Sequence, residues 1–138
     1  MIDDSLDDVI LDLAKVLGTE EAPSTQQLVL YIPNKDKDGK QIKHLNRWLK
    51  EAREVLTKIG GGATAFPPAD GTWLNPKTNR TIWEKTTIIY TYIYSDKFEE
   101  NIRLFREFLH RFGRETNQGE IVFEFDGRFY RILKYDSK

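Results

Sequence analysis

Leu6, Val9, Ile10, Leu13, Val16 and Leu17 recur at three- and four-residue spacing, the stripe of an amphipathic helix over residues 5–17. Ser5 stands at its N-cap with Asp8 three residues on, Asp7 and Asp8 oppose the positive end of the helix dipole, and Gly18 supplies a stop. The periodicity then vanishes through residues 19–27 (TEEAPSTQQ), which contain Pro23 and read as a linker. Residues 1–18 therefore form an appendage to a main domain over 28–138.

In that domain Leu28–Ile32 (LVLYI) predicts a short strand, closed by Pro33 and the turn-rich NKDKDG. Leu45, Trp48, Leu49, Ala52, Val55, Leu56 and Ile59 then trace a helix that Gly60–Gly62 end. Ala63–Phe66 reads as a second strand, with pairing resumed through Thr72–Leu74 after the Asp70-Gly71 turn. NPKTNR is a further turn, and Thr81–Tyr94 is a long strand rich in β-branched and aromatic residues. Phe98, Ile102, Phe105, Leu109 and Phe112 mark a second helix, begun at Ser95-Asp96 and stopped by Gly113. Two closing strands, Glu120–Phe125 and Arg128–Leu133, flank the hairpin dipeptide Asp126-Gly127.

The order βαββαβ predicts a ferredoxin-like α+β sandwich, an antiparallel sheet with two helices on one face, plus the N-terminal helix and a C-terminal β-hairpin. The long strand sharpens this. One face carries Thr87, Ile89, Thr91 and Ile93, the other Ile88, Tyr90, Tyr92 and Tyr94. Neither suits full solvation, so the Tyr-rich face calls for a cover, and dimerisation across it is the expectation.

Composition fits one globular domain, with 39% hydrophobic and 31% charged residues in 138. No apolar run approaches a bilayer span, the acidic start lacks the basic n-region of a signal peptide, and cysteine is absent, so a cytoplasmic setting is expected. The net charge of −1 hides an asymmetry: residues 1–22 hold seven acids against Lys15, net −6, and the rest is net +5. The acidic helix is thus a candidate arm for intramolecular docking or for a protein partner.

Little chemistry is written as a motif. Asn34–Gly39 imitates the start of an EF-hand loop, but Leu45 stands where the bidentate Glu belongs. Gly60–Gly62 follow a helix, whereas phosphate-binding glycines precede one. His44 and His110 have no companion at ligand spacing, so neither metal nor cofactor is expected. The aromatic sheet admits an RNA-recognition reading, yet the basic-Gly-aromatic signature is missing and nucleic acid is disfavoured.

The order LYIPNKDKDG, a Trp-bearing helix (Trp48), GGAT, GTW, a polar turn and Glu84 before an apolar strand resembles a family of short bacterial proteins of unknown function, some of them secreted lipoproteins. The resemblance spans about residues 28–133 and marks Gly61, Gly62, Thr64, Gly71, Trp73 and Glu84 as family-like positions. It implies a fold and no activity, and this chain lacks the lipobox cysteine.

Three functions follow. The leading expectation is a small non-enzymatic dimeric binding module for a protein partner or small ligand, using Thr64, Trp73, Arg80, Trp83, Glu84, Tyr90 and Tyr92. The alternative is a small enzyme with a pocket around Glu84 and Trp73. There Glu84 or Asp70 would be acid/base candidates, with Lys85, Arg80 or His44 as polar partner. The third is a nucleic-acid-binding domain.

Overall fold

The computed structural model describes residues 12–20 and 26–137. The expected N-cap Ser5 and the first turns of the N-terminal helix lie outside the described residues. Within them, helix α1 covers Leu13–Leu17, with the Asp12 carboxylate accepting the Lys15 N–H and Gly18 at φ 75° closing the last turn.

The remaining order is β1 (Gln27–Pro33), α2 (Leu45–Gly60), β2 (Thr64–Ala65), β3 (Ala69–Asn75), β4 (Arg80–Tyr92), α3 (Ser95–Glu115), β5 (Ile121–Phe125) and β6 (Arg128–Ile132). All strand pairs are antiparallel, in one six-stranded sheet. The short β2 and the longer β3 lie along one side of β4, β1 along its other side, then β5 and β6. The architecture is a mixed α+β fold.

Strand alternation sorts the residues by face. Leu28, Leu30 and Ile32 of β1, Ile89 of β4 and Ile121 of β5 are buried against Ala52, Val55, Leu56 and Ile59 of α2 and Phe105, Phe108, Leu109 and Phe112 of α3. Trp48 meets Phe112 edge-on at 5.2 Å and Phe108 at 6.1 Å, joining the two helices. Thr87 and Thr91 share the helix-bearing face with Ile89, and Tyr90 and Tyr92 lie on the other. No helix among the described residues is long and apolar enough to cross a membrane.

Gly113 departs from its expected place. It sits inside α3, which runs two residues further, and the Tyr135 ring occupies the space a Cβ would need. That glycine makes room for the C-terminal tail instead of stopping a helix. The tail is fixed along α3: the Tyr135 hydroxyl donates to the Gln118 carbonyl at 3.0 Å, the Asp136 N–H to His110 Nδ1 at 2.8 Å, and Arg106 grips the Asp136 carboxylate.

The hairpin dipeptide forms as the sequence requires, with Asp126 at φ 54° and Gly127 at φ 76° between paired Phe125 and Arg128. Gly127→Ala is expected to cost about 1 kcal/mol, since a Cβ is disfavoured in the left-handed region. The midpoint of urea unfolding measures it.

Candidate functional site

On the sheet face turned away from the helices, Gly71 pairs with Glu84, Pro33 with Thr86 and Tyr31 with Ile88, so these residues stand side by side across β3, β4 and β1. Beside them the 116–120 segment and β5 bring Gly119, Glu120 and Val122, and Phe129 of β6 completes the wall. They enclose a cavity of about 320 Å³, open on one side, with Trp73, Tyr31 and Phe129 as aromatic walls and Lys35 at its edge. That volume lies at the small end of ligand sites.

Two glycines shape it. A Cβ at Gly71 would meet Thr86 Oγ1 at 2.7 Å, and one at Gly119 would meet the Trp73 ring at 2.6 Å. The indole thus lies directly over the Gly119 backbone, and its Nε1–H donates to Glu120 Oε1 at 2.9 Å. Glu120 also faces Arg131 at 3.6 Å. The Tyr31 hydroxyl donates to Glu124 Oε1 at 2.8 Å, and burial, with that carboxylate beside it, pushes the phenol up to about 12. Tyr31 is therefore a neutral donor and a wall, not a base.

Glu84 is the exception in this otherwise paired set. It is half-buried, and no hydrogen bond reaches its carboxylate among the described residues. Burial raises its pKa to about 7, against a smaller opposing pull from Lys35. A carboxylate with no hydrogen bond, and only the pull of Lys35 upon it, in an aromatic cavity is suited to meet a cationic group of a ligand. Among the described residues no cluster of His, Asp or Glu could hold a metal ion.

The structure brings Glu84 and Trp73 together and separates the other candidates. Asp70 pairs with Lys85 on the opposite sheet face, where the two form an exposed ion pair, so Asp70 is no acid/base group for this cavity. Lys85 is thereby engaged, and Lys35 takes the cationic position expected of Lys85, Arg80 or His44. Trp83 pairs with Thr72, projects to the side opposite Trp73 and is 69% exposed. Arg80 lies with it at another hollow, of about 410 Å³. Thr64, Tyr90 and Tyr92 lie further along β2 and β4, where Phe66 stacks on Tyr90 at 5.5 Å, outside the cavity.

Sequence reasoning missed Tyr31, Lys35, Gly119, Glu120 and Phe129. Gly119 and Glu120 carried a signal, a glycine-acid pair opening a strand, but nothing in the pattern tied them to Trp73. A second and larger hollow, about 710 Å³, lies behind the Trp73–Gly119 wall and is edged by Lys37, Lys77 and Arg114.

No family model and no curated protein matches the chain. Two solved structures share its fold. A phage SAM lyase in complex with S-methyl-5'-thioadenosine aligns with a TM-score of 0.60 at 10% identity, covering 82% of this chain and 92% of that one. A phage SAM lyase in the apo state aligns at 0.55 and 11% identity, covering 87% and 98%. The non-enzymatic binding module expected from the sequence is corrected by this likeness. Both neighbours are lyases, and the enzyme alternative around Glu84 and Trp73 accords better with them and with the cavity.

Proposed function

We propose that this chain is an enzyme that binds S-adenosylmethionine in the Glu84 cavity and cleaves it without water, releasing S-methyl-5'-thioadenosine. The observation that carries the reading is the half-buried Glu84 carboxylate, without a hydrogen bond among the described residues and with only Lys35 pulling on it, inside an aromatic-walled cavity of about 320 Å³. The likeness to lyase structures, one of them holding that thionucleoside, supports it. We also read the fold as ferredoxin-like: with β2 and β3 taken as one interrupted strand, the order β2/β3–β4–β1–β5 follows that topology, and β6 is an addition.

The chemistry constrains the roles. Only scission between the sulfonium sulfur and the aminocarboxypropyl chain leaves the methylthio group on the nucleoside. The electron pair of that bond goes to sulfur, which becomes neutral. The substrate's own carboxylate attacks the carbon that sulfur leaves and closes a five-membered lactone, so no proton moves and no protein base is required. Ring closure of this kind gains from proximity, which a confining site strengthens. Trp73, Tyr31 and Phe129 offer faces for the adenine. Glu84 as a carboxylate holds the α-ammonium, whose charge persists through the reaction, so the attraction survives into the transition state.

Incubation with S-adenosylmethionine and chromatography of the products tests the reading: S-methyl-5'-thioadenosine and a homoserine-derived lactone in equal amounts are expected. Homoserine formed directly with solvent oxygen would replace the lyase by a hydrolase. Neither product, with no calorimetric binding of S-adenosylmethionine or S-methyl-5'-thioadenosine, overturns it.

Gly119→Ala offers a finer check. The added methyl displaces the indole and breaks its bond to Glu120, and roughly tenfold weaker binding of S-methyl-5'-thioadenosine is expected, the scale of one lost hydrogen bond with some misplacement of the wall. Isothermal titration reads it, and unchanged affinity would remove Trp73 from the site.

A further inference from the structure

On the helix-bearing side of the sheet, opposite the Glu84 cavity, a groove of about 670 Å³ runs between α3 and the β5–β6 hairpin. Its floor is apolar, made by Phe98, Ile102, Phe105, Leu109, Phe123 and Tyr130, and Ile102 and Tyr130 remain 44% and 41% exposed. Its rim is basic. Arg106 and Arg131 already face Asp136 and Glu120, while Arg103 and Lys134 have no ion pair among the described residues. An apolar trough with two unused cations on its rim calls for an amphipathic, acidic occupant.

The chain contains one. Residues 1–22 carry net −6, with Leu6, Val9, Ile10, Leu13, Val16 and Leu17 at helical spacing among those acids. Leu13, Val16 and Leu17 of α1, the described end of that stripe, are 51%, 63% and 68% exposed. The attachment point is favourable. The Gln27 carbonyl accepts the Asp126 N–H at 3.0 Å, Leu28 pairs with Phe125, and the Phe125 ring lies 5.3 Å from Phe98. The chain therefore leaves β1 at the near end of the groove. Residues 18–26 can span up to roughly 30 Å when extended. The stretch of α3 from Phe98 to His110 is about 18 Å long.

We infer that the acidic N-terminal segment through α1 docks along this groove of its own chain, its apolar stripe on the α3–hairpin floor and its acids against Arg103 and Lys134. Arg103 and Lys134 take no part in the Glu84 cavity or in the activity assigned to it; of the rim residues only Arg131 reaches towards it, through Glu120.

The absence of native cysteine makes the test clean. In the full chain, Val16→Cys with Ile102→Cys should oxidise to an intrachain disulfide roughly tenfold faster than Val16→Cys with Lys77→Cys, a control on an exposed turn. Adding Arg103→Glu and Lys134→Glu to the first pair should slow it roughly tenfold, the effect of losing two partly exposed ion pairs, and leave the control unchanged. Both substituted positions are exposed, so circular dichroism should report an unchanged fold. Equal rates for the two pairs, indifference to charge reversal, or disulfides formed mainly between chains would overturn the assignment, the last in favour of a second copy as occupant.

Discussion

Glu84→Gln should lower kcat/KM for S-adenosylmethionine cleavage by roughly 30- to 100-fold, the worth of a charged hydrogen bond in a half-buried site. The substitution keeps the volume and removes only the charge, so wall contacts survive and S-methyl-5'-thioadenosine, which has no ammonium, should bind nearly as before. That split separates a charge-holding role from a structural one. Glu84→Asp should recover part of the activity, because the charge returns on a shorter arm. Equal losses of substrate and product binding would instead mean that the cavity had deformed.

The same carboxylate fixes the pH profile. Its pKa is raised to about 7 by burial, so the ionised form that holds a cation accumulates only as pH rises through 7. The activity of the native chain should climb between about pH 6 and 8 and then level, and the Gln variant should lack this rise. Stability moves the other way. A carboxyl whose folded pKa lies above its unfolded value favours the folded state below the unfolded pKa, and that contribution is lost as pH rises through the folded one. Glu84→Gln should therefore be more stable than the native chain at pH 8, by roughly 1 kcal/mol after screening of a half-exposed group, and the gap should close towards pH 5. Thermal melts at the two pH values check this.

How far the sequence reached follows from how local each signal was. The α2 stripe, the Asp126-Gly127 hairpin and the two faces of β4 depend on neighbours within a few residues, and all three form. Glu84 stood out for the same reason, as an acid opening an apolar strand. Asp70 failed because the two-residue pleat decides which face a side chain takes: its neighbour Gly71 pairs with Glu84, while Asp70 pairs with Lys85 on the other face. Tyr31, Lys35, Glu120 and Phe129 reach the cavity from segments far apart in sequence, and only the strand order brings them together. Gly113 misled for a related reason, since the ring that explains it, Tyr135, lies 22 residues away.

Phe112→Ala should be the most damaging single truncation, lowering unfolding free energy by about 3–5 kcal/mol, as for other buried aromatic truncations. Phe112 has no exposed surface, meets Trp48 edge-on at 5.2 Å and stacks with Phe108 at 6.2 Å, so its loss opens a cavity where α2 and α3 join. Trp48 and Phe108 also meet each other edge-on at 6.1 Å, so filling the gap would disturb that surviving contact, which keeps the cost at the upper part of the range. Against a total of 5–15 kcal/mol for a domain of this size, the variant should be partly unfolded or close to it at 37 °C. The effect extends to the site. The Phe112 carbonyl accepts both the N–H and the hydroxyl of Thr116, which turn α3 into the segment carrying Gly119 and Glu120. Phe129→Ala is the counterpart: Phe129 lines the cavity but is 58% exposed, so its removal should weaken nucleoside binding with little change in melting temperature. Denaturant melts of both variants beside thionucleoside titrations distinguish the two roles. Equal stability losses would mean that Phe129 belongs to the core and that the cavity wall lies elsewhere.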